Sequence, residues 1–574
     1  MRHSLFSVRW SAALSDRCCS AVFRRRSCDE RRVSCSFSSR WCWWCARDER
    51  AASRSQRRSA RSGQRCVRAH HFGRARRCGG CGGNRSRVRG GLRSRARLAR
   101  RHRARGIAPL ASGGFGGALD TYGGPSLRHC GSWLAGSDDG GGDSGGDVAL
   151  ILEQFYLACL SHASYLVGDS ASGRAVVVDP QRDVAQYLEA AQRHELRIER
   201  VIETHFHADF LSGHLELAAA TGAAITYGSA AAGLTEFPID AVMHGQRLNL
   251  GGVDLEFRET PGHTPESICV VVRETASSAP HAVLTGDTLF IGDVGRPDLL
   301  SAFGRTQDEM ARNLYSSLRE RLLDLPDSTK VYPAHGAGSA CGKNLSTETV
   351  STIGEQKRTN YALAPMSEDE FVRIVTEGHA AAPLYFSFAA TRNRAARPKL
   401  DEGAPQRLSY AEFSRGASNG AVVVDSREPD DFARGHFVNS RNVGLSGRFA
   451  EYVGEVVRPG SPIVLVCETG TETEAKTRLA RIGYDNVLGA LDDPQRAMLE
   501  HPDEVRVGSR LTADQLDARR AAGEVVVVDV RGPGEVEAGM IDAARHIQLA
   551  SLLDRARELD PATPVVVYCA GGYR

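Results

Sequence analysis

The segment RVIETHFHADF (200–210) decides the fold. An apolar run suited to a buried strand stops at Thr204, and His205, His207 and Asp209 then follow at alternate positions. Side chains at a strand end project into the loop beyond it, where a rigid sheet holds them in fixed geometry. Imidazole nitrogen and carboxylate oxygen are the donors that Zn2+ and Fe2+ accept. One such histidine alone would be an ordinary surface or core residue. Three further segments repeat the design: VDLEFRETPGHT (253–264), HAVLTGDTLF (281–290) and KVYPAHG (330–336). They carry His263, Asp287 and His335 to the ends of their own apolar runs. Upstream, RAVVVDP (174–180) reads as a strand with a turn after it. Val184, Tyr187, Leu188 and Ala191 then recur at helical spacing, with Asp183 in position to cap that helix. Short strands alternating with amphipathic helices make this an α/β chain.

Outward from this region the composition changes abruptly. Residues 1–106 hold 30 arginines, no lysine and five acids, whereas the other 468 residues carry 43 basic and 64 acidic side chains. The overall charge of +4 therefore averages two unlike pieces and says nothing about partners of the folded part. The first piece lacks helical or strand periodicity and is expected to be disordered. An arginine-rich transit peptide, a nucleic-acid arm and translated upstream sequence from a GC-rich genome all fit it, the last best, given 68 arginines to 5 lysines. Its CxxC pairs, Cys42/Cys45 and Cys78/Cys81, are spaced like zinc half-sites, but no ordered sequence surrounds them. A Gly/Ser/Asp linker is expected to run to residue 147. Nine of 15 cysteines precede residue 107, and the few left in the body suit a reducing cytosol. A targeting role for the N-terminus stays open beside that cytoplasmic reading. No run of 18 apolar residues occurs, so no spanning helix is expected.

The C-terminal part repeats itself. AVVVDSREPDDFARGHFVNSRNV begins at residue 421 and EVVVVDVRGPGEVEAGMIDAARHI at residue 524. Asp425/Asp529, Arg427/Arg531, Pro429/Pro533, Gly435/Gly539 and Arg441/Arg545 stand 104 residues apart, which marks a tandem pair. Each copy continues into a strand ending at cysteine, SPIVLVCETGTET (461–473) and TPVVVYCAGGYR (563–574). Loop N–H groups and a helix N-terminus beyond such a cysteine stabilise a thiolate or persulfide. The second loop offers Cys569, small Ala570, Gly571 and Gly572, and Arg574 as a closing base. The first has Glu468 and Glu472 around Cys467, which would raise its thiol pKa. The chain stops inside the second loop, so its last domain is expected to be cut short.

With those motifs in place, the sequence resembles the metallo-β-lactamase superfamily over about Leu150 to Asn393. THFHADF is similar to its HxHxDH signature, with PGHT, TGD and PAHG following in order. The resemblance implies an αββα sandwich. The tandem copies resemble rhodanese, which implies two α/β parallel-sheet domains. The expected organisation is a disordered segment and linker over 1–147, the sandwich over 149–393, a degenerate rhodanese-like domain over 401–500, and a rhodanese domain over 508–574. The signature's sixth position, a histidine that serves a second metal, is Phe210 here, and phenylalanine cannot ligate. One metal per chain is therefore expected.

The branch of the superfamily that uses one metal is the persulfide dioxygenases. The resemblance implies Fe2+ held by His205, His263 and Asp287, with His207, Asp209 and His335 as orienting residues or alternative ligands. It places Arg296 of VGRPD beside the substrate, the other reading of that residue being a structural pair with Asp298. Cys341, six residues beyond His335, is a candidate relay thiol or a small buried apolar residue. Cys569 and Arg574 would carry sulfur transfer. The implied reaction is oxidation of a low-molecular-weight thiol persulfide by O2 to sulfite and thiol, with thiosulfate formed if the rhodanese hands sulfur to sulfite. A Zn2+-dependent thioester hydrolase of the glyoxalase II type shares the fold and is the rival. A non-catalytic sulfur-relay or redox-sensing protein is the rival of another class. The acidic body argues against nucleic acid, and a homo-oligomer is compatible with the sequence.

Overall fold

Val- and Ile-rich runs bounded by Gly, Pro and Asp supply most strands, as their β-branched side chains favour the pleated surface. The computed structural model describes residues Leu5–Val8, 149–299 and 304–572. The remaining expectations for 1–147, its CxxC pairs and linker, and Arg574 lie outside them.

Two six-stranded sheets face each other. The first runs Leu150–Leu157, His162–Asp169, Arg174–Val178, Arg197–Ile202, Ala224–Gly228, Asp240–Val242 in spatial order. Its first three strands pair antiparallel and the rest parallel. The second runs Ser351–Thr352, Lys330–Pro333, Ala282–Gly286, Ile268–Arg273, Asp254–Glu259, Arg247–Asn249. Tyr165, Val167, Val176 and Ile202 of one sheet bury against Leu255, Phe257, Val270 and Leu284 of the other. On the outer faces, helices Ala185–Arg193 and His214–Thr221 cover the first sheet, and Gln307–Ser317 and Glu368–Thr376 cover the second. This is the αββα sandwich, and four of its strands end at the site histidines and Asp287. Asp183 does not cap the helix after it: Val184 is the N-cap without a side-chain bond, and Asp183 instead pairs with Arg481 at 2.6 Å.

Beyond the sandwich, Arg407–Leu408, Val487–Leu491, Ile463–Val466, Val422–Asp425 and Arg441–Asn442 form a five-stranded parallel sheet. A second parallel sheet orders Arg510–Leu511, Leu5–Val8, Val565–Tyr568, Val526–Asp529 and Arg545–His546. Leu5–Val8 takes the slot that Val487–Leu491 fills in the first copy, an exception to the expected lack of structure before residue 147. The 104-residue repeat has a physical basis. Arg427 donates to Asp425 and to the Gly435 carbonyl, and Arg531 repeats both bonds on Asp529 and Gly539.

The first copy shares a core with the sandwich. Leu160, Phe210, Phe290 and Tyr385 belong to one buried cluster with Phe449, Val453, Leu465 and Ile482. The Leu211 N–H donates to the Arg481 carbonyl at 2.7 Å, and fully buried Arg182 reaches from Glu216 to Asp485 across the same boundary. Among the described residues no helix is long and apolar enough to cross a membrane.

Candidate metal centre

The strand ends bring His205, His263 and Asp287 together, each at most 2 % exposed. Asp287 Oδ2 lies 3.4 Å from His263 Nε2 and 3.8 Å from His205 Nε2, while its Oδ1 lies 3.3 Å from His335 Nε2. His335 Nε2 is also 3.3 Å from Asp209 Oδ2.

Each of the three histidines is held from behind through Nδ1. His263 Nδ1–H donates to the Arg296 carbonyl at 2.8 Å and His335 Nδ1–H to the Ser161 carbonyl at 3.1 Å. For His205 the partner is Thr204 Oγ1 at 2.9 Å, whose own proton goes to Asp179 Oδ2 at 2.8 Å. A hydroxyl that donates to a carboxylate has its lone pair left for an N–H, so His205 carries its proton on Nδ1. All three Nε2 atoms then turn inward toward Asp287. Burial, then the neighbouring imidazoles, pushes His205 well below the usual imidazole range, which keeps it neutral.

His207 faces elsewhere. Its Nε2 lies 3.0 Å from Asp179 Oδ1 and 3.3 Å from Glu203 Oε2. Burial opposes its charge, yet the two carboxylates hold it well above the ordinary range. A proton on Nε2 is thus shared with those carboxylates, while the buried Nδ1 has no hydrogen-bond partner. Burial also raises Glu203 to about 7 and raises Asp209.

The buried atoms fit a cation. His205 Nε2, His335 Nε2 and both oxygens of Asp209 and of Asp287 have no hydrogen-bond partner. Buried polar groups are normally satisfied, so such a cluster is costly unless an ion completes it. Two imidazoles and one carboxylate suit Fe2+ or Zn2+ alike. An apolar recess lined by Phe206, Ala208, Thr264, Leu299 and Phe386 reaches His263.

Close approach fixes two glycines here. A Cβ at Gly286 (φ +50°) would meet Thr204 Oγ1 at 2.6 Å, and one at Gly295 would meet the Asp287 carbonyl at 2.0 Å. Two non-glycine residues with left-handed backbone, Ser161 (φ 51°) and Asp179 (φ 52°), both hold site histidines.

Arg296 takes the structural pairing that the sequence allowed. Its Nε and Nη2 donate to Asp298, Nη2 also to the Ala380 carbonyl and Nη1 to the Ala340 carbonyl. Cys341 is 1 % exposed and groups with Asp209 and His335. Burial, then the Asp209 and Asp287 carboxylates, pushes its thiol well up. In the last domain the Gly572 N–H donates to Cys569 Sγ at 3.1 Å, one strut of the expected loop cradle. In the first copy burial raises Cys467 to about 12, Glu472 adding to it. Sequence reasoning passed over His162, Asp179, Thr204 and Glu203. Asp179 had a signal, since RAVVVDP also ends a strand at a carboxylate. His162, at the start of a strand and tilted against Phe210 with ring centroids 3.9 Å apart, had none.

The Metallo-beta-lactamase superfamily model matches residues 157–335, and the Rhodanese-like domain model matches 409–492 and 512–574. The mitochondrial persulfide dioxygenase of Homo sapiens is 29% identical over 253 residues, 43% of this chain and 89% of its own length. The hydroxyacylglutathione hydrolase of Methylococcus capsulatus is 30% identical over 261 residues, 44% of this chain and 91% of its own. Among solved structures, a metallo-beta-lactamase from Staphylococcus aureus is 29% identical with a TM-score of 0.55, covering 60% of this chain and 99% of that one.

Proposed function

The chain belongs to the metallo-β-lactamase superfamily, with rhodanese-like domains behind the sandwich, and from that premise we propose that it is an iron-dependent persulfide dioxygenase coupled to sulfur transfer. The observation that carries this reading is the division of the histidines. His205, His263 and Asp287 converge as one group, while His207 gives its Nε2 to Asp179 and Glu203. Two imidazoles and a carboxylate are the facial set of O2-using non-haem iron, which leaves positions for sulfur and O2. The similarity to the human persulfide dioxygenase supports the same choice.

In this reading His205, His263 and Asp287 would hold Fe2+, which supplies an oxidisable centre with room for O2 beside a thiolate sulfur. The overall reaction balances as R–S–SH + O2 + H2O giving R–SH and H2SO3. The chain's own part is to orient and exclude. Thr204, the Arg296 carbonyl and the Ser161 carbonyl fix the imidazoles, and the recess beside His263 gives the sulfur end an approach with little water. Cys569 takes or gives sulfane sulfur as a persulfide, with Arg574 as the closing cation of its loop. Cys467, protonated at neutral pH and beside Glu472, takes no part.

The test is metal content with O2 uptake on the full chain. One iron per chain and persulfide-dependent O2 consumption with sulfite formed is the expected result. His263→Ala should abolish that consumption. Zinc in place of iron, with turnover of a hydroxyacyl thioester and no O2 uptake, would make it a hydrolase instead.

A further inference from the structure

Helix Phe386–Arg392 stands between the candidate metal centre and the first rhodanese-like copy, and its two faces meet different partners. Phe386, Ser387 and Ala390 line the recess that reaches His263. Phe388 and Arg392, on the opposite side by helical spacing, meet Tyr484 and Asp485 of that copy. The Phe388 and Tyr484 rings lie 6.3 Å apart, and Arg392 Nη2 is 3.2 Å from Asp485 Oδ2. One wall of the recess is thus backed by a folded domain, which limits how far it can yield to a bulky guest.

The walls offer nothing to a charge. Phe206, Ala208, Leu299, Phe386 and Ala390 are apolar, and among the described residues no Lys, Arg, Asp or Glu lines the recess. Its polar members are engaged or stand at the mouth. His263 Nδ1–H goes to the Arg296 carbonyl, the Thr264 hydroxyl lies 2.7 Å from Ser267 Oγ, and Ser387 is exposed. Two guanidiniums nearby are spent elsewhere. Arg394 lies over the Phe206 ring, 4.5 Å from its centroid, and Arg296 gives Nε, Nη1 and Nη2 to Asp298 and to the Ala340 and Ala380 carbonyls. A carboxylate or ammonium drawn between such walls would lose its water and find no partner. A hydrocarbon chain gains instead, by about fourfold in binding for each CH2 buried.

We propose that this recess selects the carrier of the persulfide: a thiol whose chain next to the sulfur is slim and uncharged, with Phe206 and Phe386 as the walls that set the choice. The proposal rests on the dioxygenase reading for the reaction, whereas the polarity of the recess is independent of it. Two kinds of carrier share this chemistry, a plain alkyl thiol and a longer molecule that presents a neutral amide arm. A carrier with charged groups close to its sulfur, such as glutathione, has to leave them at the mouth beside Ser387, where no cation waits to receive a carboxylate.

The test compares O2 uptake by the full iron-loaded chain with butyl, N-acetylcysteamine and glutathione persulfides. The better of the two uncharged carriers should exceed glutathione persulfide at least tenfold in kcat/KM, and the order of those two tells an alkyl carrier from an amide-armed one. Ser387 is exposed, so its variants should fold. Ser387→Arg sets a cation at the mouth and should cut the preference at least threefold by lowering KM for glutathione persulfide, whereas Ser387→Leu should widen it. A second readout needs no turnover: calorimetry of the full chain loaded with Zn2+ and titrated with butanethiol, N-acetylcysteamine and glutathione should give the same order of affinity. Glutathione favoured or equal in either measurement, or a preference that Ser387→Arg leaves unchanged, would overturn the proposal. No O2 uptake with any persulfide, with the uncharged thiols still bound more tightly, would sink the dioxygenase reading and keep the selectivity of the recess.

Discussion

Thr204 is the sharpest place to test how the centre is held. Its hydroxyl joins Asp179 Oδ2 at 2.8 Å to His205 Nδ1 at 2.9 Å, and all three residues are at most 1 % exposed. Thr204→Val keeps the shape and removes both bonds. Asp179 would still accept from the Thr204 N–H at 2.7 Å and lie 3.0 Å from His207 Nε2, so its carboxylate is not abandoned. The His205 Nδ1–H is abandoned. A buried donor left without a partner costs about 1–3 kcal/mol, and the lost bond to Asp179 adds about 1 kcal/mol. Metal-free stability should therefore fall by about 2–4 kcal/mol.

Metal affinity should fall as well, because the imidazole can now rotate or carry its proton on Nε2. Loss of such an outer partner typically weakens binding about 10–100-fold. Chelator competition for Fe2+ and denaturant unfolding of metal-free protein read the two quantities separately. Thr204→Ser retains the hydroxyl and should recover most of both. Iron affinity within twofold of wild type in Thr204→Val would refute the claim that Thr204 fixes the His205 tautomer.

Cys569→Ser should abolish sulfur transfer from thiosulfate and leave persulfide-dependent O2 uptake in place, whereas Cys467→Ser should leave both. Stopping O2 uptake with the Cys569 change would show that the roles are not separate. His379 is lowered to about 4 by burial and by the Arg296 charge, and its Nε2–H donates to the Val375 carbonyl. Its neutral form is favoured by folding, so its contribution is full above pH 6.5 and is lost as pH falls from 6.5 toward 4. His379→Gln should flatten that acid limb by about 1–2 kcal/mol after screening, measured as unfolding free energy at pH 7 and pH 5. Phe210→Ala should cost about 3–5 kcal/mol, read as a lower denaturant midpoint, since its ring lies in the shared core. An unchanged midpoint would mean that the two domains do not rely on that core.

What the sequence disclosed follows from where the determinants lie along the chain. A strand that ends at a histidine is a local pattern, so His205, His263, Asp287 and His335 were legible as one group. The repeat was legible for a similar reason, because Arg427 and Arg531 bond partners within eight residues. The failures are long-range. Asp183 had the local look of a helix cap, but a guanidinium 298 residues away claims it. Leu5–Val8 sits in a stretch without periodicity and pairs with strands some 500 residues later. The partner of His335 is the Ser161 carbonyl, 174 residues back, and a backbone atom leaves no mark in sequence. Phe210 was read for the ligand it lacks, whereas its packing needed the structure.

Phe210 links the candidate metal centre to the neighbouring domain. Its ring tilts against His162 at 3.9 Å and lies 4.4 Å from His207, and it belongs to the buried cluster that holds Phe449, Val453 and Ile482 of the first rhodanese-like copy. The residue that removes a second-metal histidine is thus the one that builds the contact with the neighbouring domain. Of its backbone neighbours, the Leu211 N–H donates to the Arg481 carbonyl of that copy, while the Asp209 carbonyl accepts from Tyr385 Oη of the sandwich itself. Asn393 completes the clamp by donating to the carbonyls of His207 and Phe210. The loop that carries His207 and Asp209 is therefore braced in part by a domain whose own cysteine is buried, with its thiol pushed up by that burial. Even with an unreactive thiol, the copy would have a physical reason to be present, because removing it would expose Phe210 and release the loop. In the proposed reading the acidic loop around Cys467 is then compatible with activity: the first copy would act on the site through packing, and the second would carry the sulfur.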